Sequence, residues 1–139
     1  MIRALLRNPD GASTIEFALL APTFLMFLFL LLDGGRMMFA KQSLNELATA
    51  TARCMATKQS SCANAGSTQT WAVSRGLTRS NLQLTTSNIV IDTNATCGGV
   101  SGMIQATISM PWKKGAMNLL PQSVAPSSLT ATACFPTIV

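Results

Sequence analysis

ASTIEFALLAPTFLMFLFLLL, residues Ala12–Leu32, decides how this chain folds. From Ile15 to Leu32 the run is broken only by Glu16, Pro22 and Thr23. About 20 apolar residues in succession cross a bilayer as a helix. Pro22 removes one internal hydrogen bond, which predicts a bend there, and neighbouring helices or local rearrangement make such a bend tolerable in lipid. A carboxylate inside such a run costs about 2.5–3.5 kcal/mol on insertion scales, so Glu16 calls for a partner. Gly11 lies five residues before Glu16. A cut after Gly11 would place a new amino terminus, Ala12, about one helical turn from that carboxylate. Two plainer readings stand beside this one. Glu16 can sit at the headgroup boundary and reach water, and the apolar run can serve as an uncut signal anchor.

Outward from this run, the amino-terminal flank MIRALLRNPDG (residues 1–11) is short and basic, and Arg3 and Arg7 favour an amino terminus left in the cytoplasm. Arg36 and Lys41 on the far side weaken that bias. Pro9 and Gly11 oppose helix, which predicts a flexible, accessible leader and a helix starting at Ala12. Past Asp33-Gly34-Gly35, the residues Met38, Leu44, Leu47, Ala48, Thr51 and Met55 recur at three- and four-residue spacings. The pattern predicts one long helix to about Thr57, a membrane segment over 12–33 and an amphipathic continuation over 34–57. The continuation lies against an exported domain, 58–139.

Within that domain, Lys58–Thr70 reads as a polar loop, and Trp71–Thr78 as a short helix capped by Thr70. The period then changes. Leu82–Leu84 and Ile89–Ile91 have strand character, Cys97-Gly98-Gly99 is a turn, and Met103–Met110 alternates as a half-buried strand ended by Pro111. Lys113–Ser128 reads as loop or short helix, and Ser128–Phe135 as a last strand. The fold class is therefore α+β: a long helix packed on a small antiparallel sheet. Trp71 and Trp112 read as core or interface anchors.

Cys54, Cys62, Cys97 and Cys134 all follow the membrane segment, and an even count in a small exported region suggests disulfides. Four cysteines allow three pairings. Cys54–Cys62, which closes a short loop, and Cys97–Cys134, which ties a late strand to the chain end, are favoured, though sequence does not select among the three. A zinc site needs close pairs such as C-x-x-C, whereas the intervals here are 8, 35 and 37, so no metal is expected. No cofactor is expected either. The chain has no histidine, and beyond the membrane exit its acidic residues are only Glu46 and Asp92. General acid–base chemistry lacks its usual groups, and an enzyme is not the expected reading. Basic residues are not interleaved with aromatics, which argues against nucleic acid.

The stretch Gly11-Ala12-Ser13-Thr14-Ile15-Glu16-Phe17-Ala18-Leu19-Leu20-Ala21-Pro22 resembles the amino-terminal signature of type IV pilin-like proteins. More narrowly it resembles the TadE-like family, minor pilins or pseudopilins of tight-adherence (Tad, or Flp) pilus systems. Asp33-Gly34-Gly35-Arg36 resembles that family's exit from the membrane, Pro111–Leu120 its late loop and Leu129–Ala133 its terminal strand. The resemblance covers residues 11–57 and 103–135, with none between. It implies that Gly11 precedes the bond cut by a prepilin peptidase, that Ala12 becomes the mature terminus, and that Glu16 pairs with the terminal amine of a neighbouring subunit. It also implies a bacterial inner-membrane protein whose carboxyl-terminal domain is periplasmic. The implied partners are a major Flp-type pilin, other minor pilins and an inner-membrane assembly platform. The alternative is a single-pass protein with a periplasmic binding domain that never polymerises. A type II secretion pseudopilin shares the cleavage chemistry but fits Asp33–Arg36 and the last strand less well.

Overall fold

The computed structural model of the chain describes residues 9–113, 115, 118 and 120–137, with side chains from Thr14 onward. Helix α1 (Pro9–Ala56) contains 48 residues, which at about 1.5 Å each makes a rod roughly 70 Å long. It runs through Pro22 and Gly34-Gly35 as one helix. Its start corrects the sequence expectation: Pro9, Asp10 and Gly11 are helical. Residues 1–8 of the expected leader, including Arg3 and Arg7, lie outside the described residues.

Beyond Leu30 one face of α1 is covered. Ala40, Leu44, Leu47, Ala48 and Thr51 are buried, and Met37 packs against the same cluster. Spacings of three and four keep these residues on one face. Met38, which the sequence pattern places in this stripe, is instead 74% exposed. It stands six residues before Leu44, which rotates it to the far side of the helix at about 100° per residue.

A single 3₁₀ turn (Ser60–Cys62) leads into α2 (Ala65–Ser80). This helix starts earlier than the expected Trp71, and its cap is Asn64 rather than Thr70. Ser67 N donates to Asn64 Oδ1 at 2.8 Å, and Asn64 N donates to Ser67 Oγ at 3.1 Å. This reciprocal box satisfies two amide groups that a helix start otherwise leaves unpaired. Thr70 is inside the helix, its hydroxyl donating to Gly66 O. Asn81, left-handed at φ 50°, ends α2.

Leu82–Leu84 is not a strand. It is an extended link whose two leucines are both buried in the core. A Cβ on Gly76 would lie 3.0 Å from Leu47 Cδ2 and 3.2 Å from Leu84 Cδ1, so the glycine lets α2 approach α1 closely.

Three antiparallel strands follow in meander order: β1 (Ile89–Cys97), β2 (Val100–Pro111) and β3 (Ser128–Pro136). The β1–β2 connection is Gly98-Gly99, with φ of +59° and +85°. Two positive φ values in succession suit the type I′ hairpin turn. Ile89 pairs with Ile108 and Ile108 with Ala131, so one sheet face stacks Ile89, Ile108, Leu129 and Ala131 against α1. The other face carries Thr107 opposite Thr132, their hydroxyls 3.2 Å apart. Pro111 ends β2, and Trp112 N donates to Ser127 O across the base of the β2–β3 loop. Loop residues 114, 116, 117 and 119 lie outside the described residues.

Cys54 is bonded to Cys62, with Cα atoms 5.8 Å apart, which fastens the end of α1 to the 3₁₀ turn. Cys97 is bonded to Cys134, with Cα atoms 6.5 Å apart, which joins the end of β1 to β3. Trp71 and Trp112 are half-buried and pack on the core cluster.

Candidate functional site

The residues marked out by the sequence lie on the bare end of α1. Gly11, Ala12 and Glu16 occupy one continuous helix. Ala12 and Glu16 are four residues apart and share a face. The side chains before Thr14 lie outside the described residues, whereas Glu16 is exposed. Among the described residues no hydrogen bond or ion pair engages its carboxylate.

Beyond Glu16 the helix surface is apolar on every side. Phe17 is 74% exposed and Phe24 62%, and Leu19, Leu20, Phe27, Phe29, Leu31 and Leu32 are exposed with them. These positions fall all round the helix, so no single face accounts for them. A helix that is hydrophobic on all sides is stable in lipid or inside an assembly, not in water. Thr14–Ala56 is long and apolar enough to cross a membrane, and its most apolar stretch has no residue buried in the chain itself.

The domain first touches α1 near the end of this run. Asp33 and Gly34 are half-buried, whereas Gly35 and Arg36 are exposed. Asp33 faces Gly115 of the β2–β3 loop: a Cβ there would lie 3.1 Å from Asp33 Oδ1. The model of the TadE-like protein family matches residues 11–53. Over these residues the chain is similar to that family. The match begins at Gly11, takes in Glu16 and Asp33–Arg36, and stops at Arg53, inside α1. The sheet domain lies outside it, including the late loop and last strand for which the sequence suggests resemblance. No curated protein and no solved structure matches the chain.

This helix thus carries two surfaces, a bare apolar one and a half-covered one, and the sequence signals fall on both. Sequence reasoning missed what the domain brings to the helix. Trp71 and Arg75 project from α2 into a cleft shared with Asn45 and Arg53 of α1, the Arg75 guanidinium 4.9 Å from the indole centroid. Their four-residue spacing was a legible signal; their meeting with α1 was not. Asp33, Arg36, Trp112 and Lys113 gather in another cleft at the end of the apolar run.

Proposed function

We propose that this chain is a minor pilin or pseudopilin of a Tad-type pilus. It inserts with its amino terminus in the cytoplasm, is cut after Gly11 by a prepilin peptidase, and joins a pilus-like assembly through α1. The observation that carries this reading is the bare amino-terminal half of α1, apolar on all sides, with Glu16 exposed at its start. In lipid a carboxylate without a partner is costly. A free amine at Ala12 of an adjoining subunit supplies the opposite charge at matching depth. The amino end of the helix favours negative charge as well. Small residues near this end, Ala12, Ser13, Ala18 and Ala21, let neighbouring helices approach closely.

The domains then divide the work. Residues 1–11 are the leader, 12–33 span and assemble, 34–57 lift the helix clear of the membrane, and 58–139 form the exported head. The head primes, caps or presents the fibre, with a major Flp-type pilin and other minor pilins as neighbours on an inner-membrane platform.

Co-expression with a cognate prepilin peptidase, followed by sequencing of the mature terminus, tests the reading. Ala12 as first residue is the expected result, and Gly11→Leu is expected to abolish the cut. An intact Met1, or a cut elsewhere, favours the anchored protein that never polymerises.

A further inference from the structure

The β2–β3 loop returns to α1 at the level where the apolar run stops. Leu32 is the last residue of that run, and Asp33, the next, faces Gly115 of the loop. Arg36 lies four residues past Leu32, about 6 Å along the helix axis. The polar layer on each side of a hydrocarbon core is about 5–8 Å deep. If α1 spans a bilayer, Arg36 therefore stands in the headgroup layer. Trp112 and Lys113 line the same cleft as Arg36 and Asp33, so they stand at that depth too. Arg36 and Lys113 are exposed, and Trp112 is half-buried against the core with Met110 beside it.

We propose that this cleft seats an acidic phospholipid headgroup of the bilayer that α1 crosses, holding the domain down on the membrane before assembly. The proposal rests on the membrane-span reading but not on cleavage. Three properties fit a lipid phosphate. Among the described residues, two exposed cations flank the cleft against one carboxylate, that of Asp33, which is turned toward Gly115. An indole prefers the interface, where its ring is half in hydrocarbon and its N–H is hydrated. Asp33, which lines the cleft, directly follows Leu32, the last residue of the apolar run, so the nearest anions are headgroups. This placement gives a role to cations that otherwise run against the usual charge bias of an exported flank.

The two tryptophans supply the test because they stand at different heights. Trp71 shares its cleft with Asn45, thirteen residues beyond Leu32, or about 20 Å farther from the apolar run. The full chain is reconstituted in nanodiscs of acyl-brominated phosphatidylcholine, with and without brominated phosphatidylglycerol. Trp71→Phe leaves Trp112 as the sole reporter, and Trp112→Phe leaves Trp71. Trp112 emission is expected to be quenched, more strongly in the acidic discs, while Trp71 emission is spared. Each cation near an acidic surface is worth about fivefold in binding. Arg36→Gln with Lys113→Gln is therefore expected to raise the phosphatidylglycerol fraction needed for half-maximal quenching by at least about fivefold. Both changes are on exposed side chains, and far-ultraviolet circular dichroism checks the fold. Added inorganic phosphate is expected not to reverse the quenching; reversal would point to a free-phosphate site and overturn the lipid assignment. Equal quenching of Trp112 and Trp71, equal quenching in both disc types, or an unaffected double variant would each overturn the proposal. A Phe24→Trp reporter in a chain lacking the other two marks the span. If that reporter escapes quenching, this proposal and the membrane reading fall together. If it is quenched and Trp112 is not, only this proposal falls. Processing after Gly11 is scored separately and stands or falls by itself.

Discussion

The two halves of α1 share one backbone geometry and differ in what surrounds them. Residues 14–32 present apolar side chains in all directions, from Phe17 to Leu32, and bury almost none of them within the chain. Residues 40–56 bury one face, centred on Leu44, Ala48 and Thr51, and leave Gln42, Asn45, Glu46 and Thr49 exposed. The first half has no internal core and depends on a lipid or protein solvent. The second depends on the sheet, α2 and two disulfides. A single helix therefore answers to two stability rules, and each rule is broken by a different kind of substitution.

The largest expected effect concerns the second half alone. Replacing Cys97 and Cys134 with serine opens a bridge across 37 residues, worth about 4 kcal/mol by loop-closure entropy. The shorter Cys54–Cys62 link, across 8 residues, is worth about 2.5 kcal/mol on the same basis. Denaturant unfolding of the domain in detergent should rank the two in that order, with membrane insertion unchanged by either.

Next comes the reciprocal test. Phe24 is 62% exposed, and an exposed Phe→Arg change on a water-facing helix is usually worth within about 0.5 kcal/mol. At the centre of a membrane span arginine instead costs about 3 kcal/mol. Phe24→Arg should lower the membrane-inserted fraction about a hundredfold or abolish insertion, while Thr49→Arg on the exposed outer half leaves it unchanged. Carbonate extraction and cysteine accessibility read the result. Equal behaviour of the two variants would erase the distinction between the halves.

A smaller effect sharpens the packing side. Gly76→Val forces branched methyls into space already held by Leu47 and Leu84. Overpacking of this kind costs about 1–3 kcal/mol. The thermal midpoint of the domain should fall, with insertion again untouched.

What the sequence made legible follows the same division. The apolar run, the long helix, the last three of the four expected strands and the Gly98-Gly99 turn depend on local composition and period, and the structure has them in place. Features set by partners far along the chain were harder to read. Leu82 and Leu84 alternate as in a strand, but strand identity requires a hydrogen-bonding neighbour, and these leucines meet α1 and Gly76 instead. The start of α2 was hidden in a polar stretch because its signal is a reciprocal bond between Asn64 and Ser67, residues equally suited to loops. Met37 and Met38 are alike in chemistry, and only the rotation of the helix decides which one faces the core. The Gly11–Glu16 spacing was visible at once. The meeting of Asp33 with Gly115 was not, because it depends on where the β2–β3 loop returns.

The central claim is that Glu16 waits for an amine from a neighbouring subunit. The direct measurement is the amount of Glu16→Gln chain in sheared fibres relative to membranes, with the mature terminus sequenced from the same cells. Glutamine keeps the shape and removes the charge. The account predicts normal cutting after Gly11 and at least a tenfold depletion from fibres, a floor well inside the about 3–5 kcal/mol that removing one partner of a buried ion pair costs. Wild-type incorporation of the Glu16→Gln chain would contradict it.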